Sequence, residues 1–294
     1  MSVPKFDGFS PQHSYFIGLD SDGCVFDTME VKHKQCFFPA FVQHFEMDDA
    51  AVQAQETWEF VNLYSKTRGV NRFKAAVNTV DMLASRPELK GIPMPSVEGL
   101  RDWTRREPRL GEVALREECR RQPHPDLERA LAWSEDVTKA IHRIVREIPP
   151  FPGVMDVLES AGSWADMMVV SQAPTEDLQR EWVEHGIAHH VQCIAGQELG
   201  SKGELLSRAT LNRYPSHHIL MVGDSPGDLV AAQNANALFF PIVPGREEES
   251  WERLNQEGLE RFLNDRFAGR YQDLLLQEYD DALPEFAPWQ VVLR

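Results

Sequence analysis

The chain has 294 residues and a formal net charge of −16, and 42% of its residues are hydrophobic. This length suits one large domain or a core with an insert, and the negative charge argues against nucleic acid or an anionic membrane as a partner. No apolar run approaches the roughly 20 residues that span a bilayer, and residues 1–8 lack the basic and apolar regions of a signal peptide. We therefore expect a cytoplasmic protein whose widely spaced cysteines stay reduced.

The first predicted strand, near residues 15–20, ends in two acidic residues. Asp20 and Asp22 are separated by one residue, and Gly23 follows Asp22 directly. The glycine indicates that the strand stops there, so both carboxylates should lie at its carboxyl tip, where open α/β sheets bind ligands. Such a pair suggests a metal site, a nucleophile with an acid/base partner, or both. A calcium-binding loop of the helix–loop–helix type is excluded by its spacing. With Asp20 as position 1, the glycine stands at position 4 instead of 6, and position 12 is Val31 instead of glutamate.

The region that follows contains no comparable strand-like run. Apolar residues recur at helical spacing in four segments, 30–46, 50–65, 70–85 and 126–147. The sequence therefore predicts an all-helical domain over residues 28–148, inserted into a core made of residues 1–27 and 149–294. A turn after Asp27 and the prolines at 149–152 would form a pair of hinges.

Two stretches of this insert differ from their surroundings. Residues 66–74 place four cations around Gly69 in an otherwise acidic chain. Either Arg68 and Arg72 bind an anionic group of a ligand, or they are solvated helix ends that face acids, and both interpretations stay open. In residues 86–125 six prolines interrupt any long helix. We interpret this stretch as a surface connection and prefer that to a loop that contacts a substrate.

Strands and helices alternate in the second half of the chain. Strands are expected near 166–171, 191–195, 218–222 and 238–242, and helices near 154–162, 175–185, 202–212 and 227–235. This alternation predicts an α/β fold with a doubly wound, mostly parallel sheet. Polar side chains recur at the ends of these elements: Ser171, Lys202, Asp224 and Asp228.

The last fifty residues, 245–294, are predicted to be a helical extension of the core. Their apolar residues form two stripes, Trp251, Leu254, Leu259, Phe262 and Leu263, then Phe267, Tyr271, Leu274 and Leu275. Such stripes normally pack on a core and less often form a dimer contact, so a monomer and a homodimer both stay open.

Histidines offer a weaker alternative metal site. His185, His189 and His190 have metal-like spacing, but Gly186 should end the helix and no fourth ligand is evident. We prefer a solvated turn there. The pair His217-His218 precedes a strand and is expected to be exposed.

Taken in order, the polar segments resemble the four motifs of the haloacid dehalogenase superfamily. These are Asp-x-Asp-Gly at 20–23, Ser171 after the second strand, Lys202, and a Gly-Asp-x-x-x-Asp motif at 223–228. The resemblance covers residues 15–27 and about 150–243 well, and the insert in placement only. It implies a Rossmann-like core with a helical cap of the subclass I type.

The resemblance also implies a set of site residues. Phosphoryl transfer needs a nucleophile, a proton donor and positive charge around the phosphate, and Mg²⁺ suits an all-oxygen site. The implied catalytic residues are Asp20, Asp22, Ser171 and Lys202, the Mg²⁺ ligands are Asp20, Asp22, Asp224 and Asp228, and the candidate substrate contacts are Gly23, Gln172, Arg68 and Arg72.

The expected activity is that of a Mg²⁺-dependent phosphatase acting on a small phosphorylated metabolite through an aspartyl phosphate. Asp22 favours this, because superfamily members that cleave carbon–halogen or carbon–phosphorus bonds usually lack an acid there. A phosphomutase acting on a sugar phosphate and a catalytically silent metabolite-binding protein stay open as alternatives.

Overall fold

The computed structural model describes residues 9–291. The chain divides into two compact units. The core unit consists of the chain up to residue 29 together with residues 147–283, and the helical unit consists of residues 30–146 together with the chain from residue 284. In the described range, no helix combines the length and the apolar character that crossing a membrane requires.

The core unit is built on one parallel sheet, as predicted. Its strands are β1 Tyr15–Leu19, β2 Ala165–Val170, β3 Cys193–Ala195, β4 Ile219–Gly223 and β5 Leu238–Pro241. They lie in the order β3-β2-β1-β4-β5, and every pairing is parallel. The chain therefore runs from β1 outward to β3, then returns to the other side of β1, which places β1 at the centre.

The α-helices follow in chain order. They are α1 Thr28–Val31, α2 Phe38–His44, α3 Ala51–Leu63, α4 Arg72–Ala84, α5 Glu98–Arg106, α6 Glu112–Arg121, α7 Pro125–Ile144, α8 Val154–Ala161, α9 Thr175–Glu184, α10 Lys202–Thr210, α11 Pro226–Asn234, α12 Glu247–Arg253, α13 Leu259–Leu263, α14 Arg270–Ala282 and α15 Pro288–Val291. A π-helical turn, Lys32–Phe37, joins α1 to α2.

Side chains that alternate along each strand pack into two hydrophobic layers, one on each face of the sheet. In β1, Ile17 and Leu19 belong to the layer that contains α8 and α9, whereas Phe16 belongs to the layer that contains α10 and α11. Because successive strand residues point to opposite faces, a strand covered on both sides needs an uninterrupted apolar run. This explains why the strands could be located from the sequence.

The helical unit contains no strand in residues 30–146, all of which the structure describes. Its interior is aromatic: Trp58 and Trp133 are fully buried, with ring centroids 5.9 Å apart in an edge-to-face arrangement. Residues 86–125 are more ordered than a surface connection, because α5 and α6 form between the prolines. Leu100, Trp103 and Leu115 of these helices are buried in the unit.

The C-terminal region is shared between the two units. Trp251, Leu254 and Phe262 are buried in the hydrophobic layer of the core unit, so the first stripe packs on the core as predicted. Two members of the stripes are wrongly placed by the sequence pattern, since Leu263 is 41% and Leu274 is 50% exposed. The helices that contain them turn these positions toward solvent.

The end of the chain departs from the expected core extension. From residue 284 it belongs to the helical unit. There the Arg86 guanidinium lies 4.2 Å from the centre of the Trp289 ring, and the Phe60 ring is 5.7 Å from it. A cation–π contact and an aromatic contact thus hold this segment on the helical unit. Arg86 and Phe60 are too distant from Trp289 in sequence for the spacing of apolar residues to predict either contact.

Candidate active site

Three acidic side chains meet at the carboxyl edge of the sheet. Asp20 follows β1 and Asp224 follows β4, and these strands are neighbours at the point where the strand order reverses. Ligands of open α/β sheets bind in the crevice at such a point. Carboxylate oxygens of Asp20, Asp224 and Asp228 all lie within 4.8 Å of one another, and all three residues are buried.

Lys202 brings the positive charge to this cluster. It occupies the first turn of α10, which begins with a capping box formed by Ser201 and Glu204. Its Nζ lies 2.6 Å from Oδ2 of Asp20 and 2.6 Å from Oδ1 of Asp228. Burial alone would lower the pKa of Lys202, but these two carboxylates outweigh that effect and hold its pKa above the usual value. The side chain is therefore a fixed cation.

The acids outnumber that cation. Burial raises the pKa of Asp20 well above its usual range, Asp228 and Asp224 raise it further, and Lys202 opposes the shift. Three buried carboxylates this close together repel one another, and a divalent cation bound by their oxygens would offset that repulsion. The donor set is entirely oxygen, which is what Mg²⁺ prefers, so the residues present fit this ion.

Asp228 is held in place by the start of α11. Its Oδ2 accepts hydrogen bonds from the backbone N–H of Ser225 at 3.0 Å and from the Ser225 hydroxyl at 2.7 Å. A Cβ on Gly223 would lie 2.4 Å from Cγ of Asp228, so only glycine fits where β4 ends. Sequence analysis identified both acids of this motif but not the roles of Ser225 and Gly223.

The loop after β1 is rigidly folded. The Ser21 carbonyl accepts hydrogen bonds from the backbone N–H groups of Val25 at 2.9 Å and Phe26 at 3.1 Å. Gly23 supports this turn with φ at 75°, in the left-handed region. Two buried indoles fix the loop from the core side, since Trp182 Nε1 donates to the Ser21 hydroxyl at 3.0 Å and Trp251 Nε1 donates to a loop carbonyl.

Asp22 lies in this loop, half-buried, and its carboxylate accepts a short hydrogen bond from the Thr28 hydroxyl. This contact orients the second acid of the motif separately from the buried cluster of the other three. The neighbouring thiol of Cys24 is not a competing nucleophile. Burial, with Asp224 and Asp20 adding to it, raises the pKa of Cys24 well above its usual value, so the thiol keeps its proton.

Ser171 comes directly after β2, beside β1 in the sheet. Its backbone N–H donates to the Ala195 carbonyl at 3.1 Å, and its hydroxyl accepts from the Ala173 N–H at 3.3 Å. The side chain is buried at the same edge of the sheet as Asp20. Gln172 is exposed, and its amide donates to the Gly200 carbonyl at 3.2 Å.

Arg68 and Arg72 belong to the helical unit. Arg68 is buried, and its guanidinium donates to the Leu63 carbonyl at 2.8 Å. Arg72 lies over the Phe37 ring at 5.0 Å and donates to the hydroxyls of Ser134 and Thr138. Both side chains thus contact groups of their own unit, and their role in substrate binding stays a prediction.

Tyr279 of α14 is a residue of the site that sequence analysis missed. Its hydroxyl donates to the backbone carbonyl of Asp224 at 3.0 Å, and the side chain is buried. The stripe of Tyr271 and Leu275 continues to this position at a spacing of four residues, and that is the signal that could have found it. The C-terminal extension therefore contacts the acidic loop after β4.

The histidines give a mixed result. In the described range, His185, His189 and His190 do not gather metal-ligating atoms with any third or fourth partner. His217 is 57% exposed, as expected for a residue before a strand, but the side chain of His218 is only 18% exposed.

Comparison with known proteins gives a match to one family model and a set of solved structures with a similar fold. A sequence model for haloacid dehalogenase-like hydrolases matches residues 113–242, a range that includes Ser171, Lys202 and both acids after β4 but not Asp20. No curated protein matches the sequence.

Solved structures similar to this chain include three from bacteria. β-Phosphoglucomutase from Clostridium difficile has a TM-score of 0.51 and 13% identity, covering 87% of this chain and 99% of that one. A haloacid dehalogenase-like hydrolase from Streptococcus pneumoniae has a TM-score of 0.46 and 15% identity, over 85% and 98% of the chains. A predicted phosphatase from Clostridium acetobutylicum has a TM-score of 0.43 and 13% identity, over 78% and 85%. At such identity the mutase supports the fold alone.

Proposed function

Since this chain is a haloacid dehalogenase-like hydrolase, we propose that it is a Mg²⁺-dependent phosphatase that acts on a small phosphorylated metabolite through an aspartyl phosphate. The observation that supports this most directly is the grouping of Asp20, Asp224 and Asp228 at the carboxyl edge of the sheet, with Lys202 paired to Asp20 and Asp228. A cytoplasmic location is part of the same proposal and rests on the sequence alone.

Asp20 is the proposed nucleophile. An oxygen of its carboxylate attacks phosphorus, and the bond from phosphorus to the leaving oxygen breaks. Lys202 and the Ser171 hydroxyl supply a cation and a hydrogen-bond donor for the oxygens of the transferring group. Mg²⁺ held by Asp20, the Asp22 carbonyl and Asp224, with Asp228 in support, would offset the repulsion between phosphate and carboxylates.

Asp22 is the proposed acid and base. In the first step it donates a proton to the leaving oxygen, and in the second step its carboxylate takes a proton from water. That water attacks the phosphorus of the aspartyl phosphate, which releases inorganic phosphate and restores Asp20. The hydrogen bond from Thr28 holds Asp22 in a fixed orientation while it changes its protonation state.

A phosphomutase is the second candidate, because the mutase from Clostridium difficile shares the fold. It would use the same nucleophile and the same acid but return the phosphoryl group to a different oxygen of the sugar. A silent binding protein is disfavoured, since every charged group that the chemistry needs is present.

The test is a screen of phosphorylated metabolites and a generic aryl phosphate in the presence of Mg²⁺. We expect inorganic phosphate to be released and chelation to stop the release. Turnover that survives chelation would contradict the metal requirement. Isomer formation without free phosphate, followed by ³¹P NMR, would identify a mutase, and tight binding without any turnover would identify a binding protein.

A further inference from the structure

A second group of metal-ligating side chains lies in the core unit, at the opposite edge of the sheet. It consists of His217, His218 and Asp265, whose ligating atoms all lie within 4.8 Å of one another. His217 and His218 stand directly before β4, so this group lies at the amino end of the strand whose carboxyl end leads to Asp224. At about 3.3 Å per residue the five residues of β4 separate the two places by roughly 17 Å.

The distances within the group are close to those of a metal site. Nε2 of His218 is 3.6 Å from Oδ1 of Asp265, and Nε2 of His217 is 4.0 Å from the same oxygen. Ligands that bind Zn²⁺ tetrahedrally at about 2.0–2.1 Å stand roughly 3.3 Å apart. Rotations of the exposed side chains of His217 and Asp265 would shorten both distances.

The orientation of His218 is fixed in the way that metal-binding imidazoles usually are. Its Nδ1 lies 3.1 Å from the carbonyl oxygen of Ser14, to which it can only donate a proton. In the neutral ring this contact places the hydrogen on Nδ1 and leaves the lone pair of Nε2 directed at Asp265. Stacking on Tyr15, with ring centroids 4.0 Å apart, holds the ring in that plane.

Asp265 lies in a backbone turn outside the helices. It follows α13 with φ at 54°, in the left-handed region, and its N–H bonds to the Phe262 carbonyl. The next residue, Arg266, pairs with Glu260, so this neighbouring cation is engaged elsewhere. The carboxylate is therefore left facing the two imidazoles.

We propose that His217, His218 and Asp265 bind a divalent transition metal ion of the Zn²⁺ class. Two imidazole nitrogens and one carboxylate oxygen suit Zn²⁺, Ni²⁺ or Cu²⁺ and disfavour Mg²⁺, which prefers oxygen ligands. With three protein ligands, one coordination position is left for water. The bound ion would join the entry to β4 and the end of α13, and would stabilise the core unit without entering the active site.

The test is a titration of the full-length, tag-free protein with Zn²⁺ by calorimetry, with excess Mg²⁺ present to occupy the acidic cluster. The protein carries Cys119→Ser, because Cys119 is the one cysteine of the chain that is not buried. We expect one equivalent to bind with a dissociation constant below about 100 µM and to raise the thermal unfolding temperature. Co²⁺ should give visible bands of low-coordinate geometry at the same stoichiometry.

The variants that decide the outcome are His217→Ala and Asp265→Asn. Both positions are 57% exposed, so neither change should impair folding. Each should weaken Zn²⁺ binding at least tenfold. The matched control is the double variant His189→Ala/His190→Ala, which removes another pair of adjacent histidines in ring contact that, in the part of the chain the structure describes, has no carboxylate grouped with it. Unchanged binding in the first two variants, or an equal loss in the control, would overturn the proposal.

Discussion

The carboxyl edge of the sheet and the basic segment of residues 66–74 are both clusters of charge in the sequence, but their charged side chains make different contacts in the structure. At the edge, three buried carboxylates lie within 4.8 Å of one another, and Lys202 pairs with two of them, Asp20 and Asp228. In the basic segment, Arg68 and Arg72 each contact carbonyls, hydroxyls or rings of the helical unit. Like charges held together out of water cost stability, so the first arrangement requires a functional reason, whereas the second stabilises its own unit.

Asp20→Asn should have the largest effect. We expect turnover and the phosphoenzyme to disappear, because an amide is a poor nucleophile. Initial rates and acid-quenched trapping of labelled phosphoenzyme would measure this. The fold should survive, since Lys202 keeps Asp228 as its partner. A variant that still forms the phosphoenzyme would show that the nucleophile lies elsewhere.

Asp22→Asn should have the next largest effect. The backbone stays in place and only proton transfer is lost, for which a decrease of roughly 10²–10⁴-fold is typical. Rates measured with leaving groups of different basicity would test the role, because a good leaving group needs less protonation. Equal and mild losses in this variant and in Asp20→Asn would contradict the assignment of both roles.

Tyr279→Phe should have a smaller effect, because the Tyr279 hydroxyl contacts the acidic loop through the backbone carbonyl of Asp224. This substitution removes one hydrogen bond to the Asp224 carbonyl, worth about 1 kcal/mol, so we expect a loss of up to about fivefold in turnover and a higher Mg²⁺ concentration for half-maximal activity. The control is Tyr271→Phe on the same helix, whose ring faces Arg253 and Arg261. A loss of the same size in the control would indicate general damage to α14.

Arg72→Ala should change activity least. Its contacts with Ser134, Thr138 and Phe37 help to stabilise the helical unit, so we expect a fall in unfolding temperature of about 2–4 °C, and rates on all substrates should fall by the same factor. Lys74→Ala, an exposed change in the same segment, should leave the unfolding temperature unaltered. A loss confined to charged natural substrates would instead support the substrate-binding role.

Much of the core unit could be predicted because parallel strands covered on both faces need continuous apolar runs. The same geometry made the acidic cluster predictable, since acids placed directly after neighbouring parallel strands must meet at one edge. Lys202 could be assigned only through the resemblance to a family, because its approach to Asp20 depends on how α10 packs.

The features that escaped prediction depend on contacts between distant residues. Tyr279 reaches Asp224 from a helix that has no charge pattern of its own. Trp289 and Arg86 meet across two hundred residues of chain, and neither position is unusual locally. In residues 86–125 the proline content predicts a surface connection, but α5 and α6 are short enough to form between the prolines.

The central position of β1 has a consequence for the protein's synthesis on the ribosome. Tyr15 pairs with Ala165 and Phe16 with Ile219, so β1 has neither of these partners until much of the chain that follows it has emerged. At about 5–20 residues per second this delay lasts roughly 8–30 s for the partner in β2 and roughly 10–40 s for the partner in β4. During that time the helical insert, whose contacts are local, can form first, while Phe16 and Ile17 stay exposed. Nascent chains that stall before β4 should therefore depend on chaperones.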